Sequence, residues 1–242
     1  MQVSPDIDKH RSIHHLRSRD KLKMLSIRYI SRTSPRVTGA LQPTLRLRRT
    51  YAIESARMAT ITEAITKDHG ELKHYYNEVI QNPGRHDHQQ RFGNQFTWEL
   101  ARHSIGEELV VYPAFERYLG DKGKKMAEDD RKEHHQVKER LKIFQGMKST
   151  DPEYTTKLKE IWDLLSEHIE EEEKRDLVSL ESALMNKGEE SHELATSFGR
   201  TKAFVPTRSH PSAGEHPPFE TVMGLLMAPF DRVADVFRKF PK

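Results

Sequence analysis

The 242-residue chain contains no cysteine. That excludes disulfides, iron–sulfur clusters and thiolate zinc sites, so any metal must be held by His and carboxylate. No apolar run approaches the roughly 18 residues of a membrane-spanning helix, so a soluble protein with no membrane span is expected. A Gly-rich phosphate loop and a nucleophile–base pair are both missing, which argues against nucleotide binding and hydrolysis. Proline is scarce between residues 58 and 186, where only Pro83, Pro113 and Pro152 occur. Helix formers dominate there, and an all-α body follows. Acidic residues are absent from Lys21 to Ile53.

That last gap exposes a charge asymmetry beneath the net +3 of the chain. Residues 1–53 hold 12 Lys/Arg against 3 Asp/Glu, whereas residues 54–242 hold 28 against 34. The basic character belongs to the N-terminal part. The body has no basic face with interleaved aromatics, so nucleic acid is not an expected partner. Arg28, Arg32, Arg36, Arg46, Arg48 and Arg49 alternate with Ser and Thr. An Arg- and Ser-rich, acid-poor stretch is the composition of a mitochondrial transit peptide, and Arg48-Arg49-Thr50-Tyr51-Ala52 is a suitable cleavage region. Starts at Met1, Met24 or Met58 would give different destinations: mitochondrial if the segment is translated and read, otherwise cytoplasmic. Residues 1–57 are read as this extension, 58–186 as the folded body and 187–242 as a tail.

Four amphipathic helices account for the body. Helix A opens on the capping box Thr60-Ile61-Thr62-Glu63 and carries Ile61, Ile65, position 69, Leu72, Tyr76 and Val79 on one stripe. Helix B, from about His88 to Leu119, carries Phe92, Phe96, Leu100, positions 103 and 107, Val110 or Val111, Ala114 and Tyr118; Pro113 should kink it. Helix C, after Asp121, carries Ala127, position 134, Val137, Leu141 and Phe144. Helix D, capped by Asp151 with Pro152 at its first position, carries Tyr154, Leu158, Ile161, Leu165, positions 168 and 172, Leu180 and Leu184.

Every stripe is interrupted near its middle. Position 69 is His, 103 and 107 are His and Glu, 134 is His, and 168 and 172 are His and Glu. A His and a Glu four residues apart lie on one helical face. Burying one uncompensated imidazole or carboxylate costs several kcal/mol, so six in one core require a shared partner. A bound cation is the simplest, and its binding would add to folding stability. Depth along the helices, at about 1.5 Å per residue, agrees within a turn for an up-down-up-down bundle, except that helix D must overhang.

Glu108, Glu170, Glu171 and Glu173 are read as a solvated acidic face, with Glu108 or Glu173 as an alternate ligand. His74, His86, His88, His135 and His192 are read as solvent-facing, His135 being the rival of His134. Trp98, Trp162, Tyr75, Tyr76 and Tyr112 are read as packing.

Four segments, in order and at bundle-like spacing, carry a resemblance: Lys67-Asp68-His69; His103 to Glu108 followed by Val111-Tyr112-Pro113; Glu133 to Lys138; and His168 to Glu172. Together they resemble the hemerythrin-like (HHE cation-binding) domain over about residues 58–186. The resemblance implies a four-helix bundle around a non-haem di-iron centre, oxo- or hydroxo-bridged. Its ligands would be His69, His103, Glu107, His134, His168 and Glu172, with Glu107 and Glu172 bridging. The sequence departs from the oxygen carriers of that family at Lys138, where they place a second His, and in a carboxylate four rather than five residues after His168. One ligand fewer turns the expectation from O₂ carriage to iron, oxygen or redox sensing, or iron buffering. The donor set also suits Mn or Zn. A metal-binding module is favoured over an enzyme reducing peroxide or O₂, and over a metal-free interaction module. The partners implied are metal ions and O₂, another small diatomic or peroxide.

The tail reads as a short helix from Glu189 to Phe198, a Pro-rich extended linker, and a final amphipathic helix from Phe219 to Phe240 split by Pro229. The final helix should pack back on the bundle; the alternative is a membrane surface or a protein partner.

Overall fold

The computed structural model describes residues 59–213 and 219–242, with side chains in the last helix from Leu226 onward. The basic segment of residues 1–57 lies outside the described residues. The described part is all-α. Helix α1 spans Ile61–Ile80, α2 His86–Gly106, α3 Tyr112–Phe144, α4 Tyr154–Glu171, α5 Leu177–Leu184, α6 Glu190–Phe204 and α7 Phe219–Asp235. The α1 capping box forms as the sequence predicts. Thr60 Oγ1 accepts from the Glu63 amide at 3.2 Å, and Glu63 Oε2 accepts from the Thr60 amide at 3.0 Å.

Two connections differ from expectation. Between α2 and α3, residues Glu107–Val111 form a single wide π turn, and Glu172–Asp176 form another between α4 and α5. In each, an amide reaches five residues back: Tyr112 to Glu107, and Leu177 to Glu172. The irregularity in helix B is therefore this turn and not a kink at Pro113, which sits in the first turn of α3, where the wider turn tolerates its missing N–H. The reversal expected at Gly120 is present. Its φ is +61°, which a side chain would strain. A Cβ on Gly123 would lie 1.9 Å from the Phe115 carbonyl oxygen, so this hairpin needs both glycines. Asp151 does not cap a helix. Its carboxylate accepts from the Lys148 amide at 2.8 Å within a turn, and α4 starts at Tyr154.

The core is divided in two. One cluster contains Ile61, Ile65, Val111, Phe115, Ala127 and Leu177; the other contains Leu72, Leu100, Val137, Leu141, Leu158 and Leu165. Along the chain the clusters are visited in alternating order. Helix α1 passes from the first to the second, α2 returns, the part of α3 after Gly120 passes to the second again, and α4 with α5 returns. The point of crossing is the interruption in each stripe.

The tail is packed. The Ser191 hydroxyl at the start of α6 accepts from the first amide of α1 at 3.0 Å, and Arg102 Nε donates to the Lys202 carbonyl at 2.9 Å. The linker is not a free extended spacer. Ser209 donates to the Lys138 carbonyl, and Gln145 exchanges two bonds with the Ser209 backbone. Asp231 of α7 accepts from the Thr207 amide at 3.1 Å and pairs with His210. Helix α7 runs through Pro229 rather than breaking there. Arg91 and Asn94 of α2 hold the Phe240 and Lys239 carbonyls. No helix among the described residues is long and apolar enough to cross a membrane.

Candidate metal centre

The six interrupting residues lie in one buried layer between the two cores, none more than 3% exposed. Glu107 sits at its middle. Its Oε1 is 3.1 Å from His103 Nε2 and 4.0 Å from His69 Nε2, while its Oε2 is 3.4 Å from His134 Nε2. One carboxylate thus divides its oxygens between two histidine pairs. Glu172 Oε2 lies 3.5 Å from His69 Nε2, and the Nε2 atoms of His134 and His168 face each other at 3.2 Å. The helix-D overhang expected at this corner is absorbed, and both histidines reach the same level. His135 stands half-exposed beside Glu139.

The first π turn starts at Glu107 and the second at Glu172. Each wide turn inserts the equivalent of one extra residue directly after a central carboxylate. The helix downstream is thereby re-phased onto the other core.

Each histidine is gripped from behind through Nδ1. His69 meets Glu173 Oε1 at 2.8 Å, His103 meets Asp68 Oδ2 at 3.3 Å, His134 meets Glu108 Oε1 at 3.0 Å, and His168 meets Glu133 Oε2 at 2.8 Å. A carboxylate on Nδ1 selects the tautomer whose Nε2 lone pair points inward, and it raises the basicity of that nitrogen. Glu108 is therefore not on a solvated face. It is fully buried and also carries the Lys138 ammonium, which occupies the place of the oxygen carriers' second histidine. Glu170 and Glu171 are exposed, as expected, and Glu173 is partly so. Lys202, from α6, is buried between Asp68 and Glu99. Tyr112 is more than packing, because its hydroxyl approaches His134 Nε2 at 2.9 Å. Trp98 lies under the Arg102 guanidinium and Trp162 stacks on Tyr76, so both are packing residues.

Burial sets the electrostatics. It pushes the His103 imidazole down to about 3 in spite of Asp68, and holds His134 well below the usual range. It pushes Glu107 well up, with the nearby Glu172 charge adding to the effect. His168 moves the other way, to about 9, because the Glu133 bond and the charges of Glu172 and Asp130 outweigh its burial. His103 and His134, held neutral beside a Glu107 carboxylate that resists ionisation, leave this part of the layer short of positive charge. His69 Nε2, His103 Nε2 and all four oxygens of Glu107 and Glu172 are buried without a hydrogen-bond partner. Buried polar atoms are rarely left so, and these converge. Their donor types, imidazole nitrogen and carboxylate oxygen, fit a transition-metal cation.

From the sequence, Glu108 and Glu173 are read only as a solvated face or alternate ligands and Asp68 and Glu133 are given no role, yet each has a local signal. Asp68 adjoins His69, Glu108 adjoins Glu107, Glu133 adjoins His134 and Glu173 adjoins Glu172.

The family model described as "Hemerythrin HHE cation binding domain" matches residues 60–177. A Schizosaccharomyces pombe protein described as an uncharacterized hemerythrin-like protein is 51% identical over 187 residues, covering 77% of this chain and 91% of that protein. A Nostoc protein described as a DNA nickase is 24% identical over 148 residues, covering 61% of this chain and 40% of that one. No solved structure matches significantly. With the family model seated on the four helices that build the layer, and a relative matching over nearly its whole length, the chain belongs to the hemerythrin HHE cation-binding domain family.

Proposed function

We propose that His69, His103, Glu107, His134, His168 and Glu172 hold a non-haem di-iron centre, and that the protein serves iron, oxygen or redox sensing, or iron buffering. The observation that carries this reading is the set of converging, buried donor atoms without partners around Glu107. His69 and His103 would serve one ion, His134 and His168 the other, with Glu107 and Glu172 shared between them. When bound, such a centre supplies one-electron chemistry and a position for a small oxygen-containing ligand. The protein's part is to orient four imidazoles through Glu173, Asp68, Glu108 and Glu133, and to exclude bulk water with the cores above and below. Tyr112 holds a hydroxyl proton beside the His134 side of the layer.

A surface cleft of about 200 Å³ bordered by Glu133, Val137, Leu164, Glu167, His168 and Glu171 reaches that same side. Its three glutamates suit the passage of a cation. It also supports the second reading, in which the centre reduces peroxide or O₂ and Tyr112 supplies the proton.

Metal analysis of the purified chain tests the centre. About two irons per chain are expected, and His103→Ala and Glu107→Ala should each lose metal. A chain free of metal after reducing, iron-replete preparation would exclude the reading. Peroxide turnover by the loaded protein separates the enzyme from the sensor. For location, we propose that residues 24–57 direct the protein to mitochondria; a diffuse cytosolic signal from a reporter fused to that segment would refute this. The exposed face of α7, with Leu226, Phe230 and Val233, together with Phe237 just beyond it, is the proposed surface for a protein partner.

A further inference from the structure

One more buried carboxylate stands at the layer. Asp130 precedes His134 by one turn of α3 and is 3% exposed. Its Oδ2 has no hydrogen-bond partner, and no ion pair to it is found among the described residues. The neighbouring cations are engaged elsewhere: Arg131 pairs with Glu116 at 2.8 Å, and Arg175 with Asp176 at 2.7 Å. Asp130, Glu133 and His168 bring ligand atoms within 4.8 Å of one another. Since α3 beyond Gly120 and α4 run in opposite directions, a step of one turn back from His134 matches a step of one turn forward from His168. Asp130 therefore stands level with Glu172.

The opposite side of the layer is different. There Asp68 faces His103, but the Lys202 ammonium already neutralises it. Behind His134 the Glu108–Lys138 pair plays the same part, so each side has one acid–ammonium pair, and the His134–His168 side has Asp130 in addition, with no cation paired to it among the described residues. Lys138 stands one turn after His134, tied to Glu108, so no donor comes from there.

We propose that Asp130 is a seventh protein ligand, completing the ion held by His134 and His168. This rests on the di-iron centre proposed above and makes its two positions unequal. His69 and His103 with the shared carboxylates would hold one ion; His134 and His168 with the same carboxylates, and Asp130 besides, would hold the other. Two divalent ions carry four positive charges. The three acids Glu107, Glu172 and Asp130 balance most of that within the layer.

The test uses the full chain loaded with ferrous iron without oxygen, and follows iron release to an excess of chelator. Asp130→Asn keeps the volume and removes the charge; Asp130→Ala removes the donor entirely. Circular dichroism of the metal-free forms checks that both fold. In both, about one iron of the two should leave at least about tenfold faster than in the wild type, or be missing from the start. Asp176→Asn, which alters the neighbouring buried acid already paired with Arg175, should release both irons at the wild-type rate. Two irons released at the wild-type rate from both Asp130 variants would overturn the seventh ligand and leave the centre standing. Loss of both irons from Asp176→Asn to the same extent would also overturn it, by showing a general charge effect. A wild-type chain that binds no iron would overturn the centre and the ligand together.

Discussion

At the scale of single residues, the proposed centre consists of donors that face inward and acids that stand behind them. The two groups should respond differently to substitution. Glu173 is about one-third exposed and touches the layer only through His69 Nδ1, so Glu173→Gln should leave the fold intact. Chelator competition should show metal affinity reduced about tenfold. Glu107 is fully buried and central. Glu107→Gln removes a carboxylate that burial already disfavours, so denaturant unfolding of the metal-free protein should show a gain of about 1 kcal/mol. The metal-loaded form should instead lose stability, because the shared ligand is gone. Opposite signs with and without metal are the mark of a ligand; a loss in both states would mark a structural acid. The inward six were legible because His or Glu replaces Leu or Ile on an apolar stripe. The acids behind them were not, because helical spacing does not say which acid meets which imidazole. Asp68 lies beside His69 in sequence and yet serves His103 on the next helix.

At the scale of elements, the two π turns and helix α6 shape the layer. Position 110 or 111 could not be chosen from periodicity. The structure buries Val111 and leaves Val110 half-buried, a one-residue slip that corresponds to the extra residue of the wide turn. Such turns follow from what the carboxylates must face across the bundle, which local sequence does not encode. Helix α6 lies over the first of them. A Cβ on Gly106 would sit 2.7 Å from Phe198 Cε2 and 3.2 Å from Lys202 Cγ. Gly106→Ala should therefore cost about 1–3 kcal/mol. Hydrogen exchange should quicken across residues 190–204 and stay unchanged in residues 86–100. The chain end is tied differently, through charge. Hydrogen bonds from Lys239 and Arg91 hold the Asp87 carboxyl at about 2, below its ordinary 3.8. A lowered carboxyl contributes its stability in full above the ordinary value and loses it as pH falls through the lower one. The bonded amides of Phe237 and Arg238, corrected for intrinsic rates, should stay protected at pH 5 and open near pH 2. Asp87→Asn should open them already at pH 5.

At the scale of the whole molecule, the bundle was legible and the tail only partly so. Four interrupted stripes and a glycine reversal are strong local signals. The docking of the linker depends on Ser209 meeting Lys138 and Gln145, residues far away in sequence. Nor does periodicity say that the polar layer splits the apolar interior in two. Each cluster alone is a small core, and the contact between them is made of groups that want a cation. Calorimetry of the metal-free chain should give a broadened transition, with a calorimetric enthalpy exceeding the van't Hoff value. The loaded chain should melt in one sharp step at a higher temperature. In a bundle with a continuous apolar interior, cooperativity is written into the side chains and cannot be withdrawn. Here it would rest on the bound cation, so that whatever removes the metal would change how many independent bodies the polypeptide is.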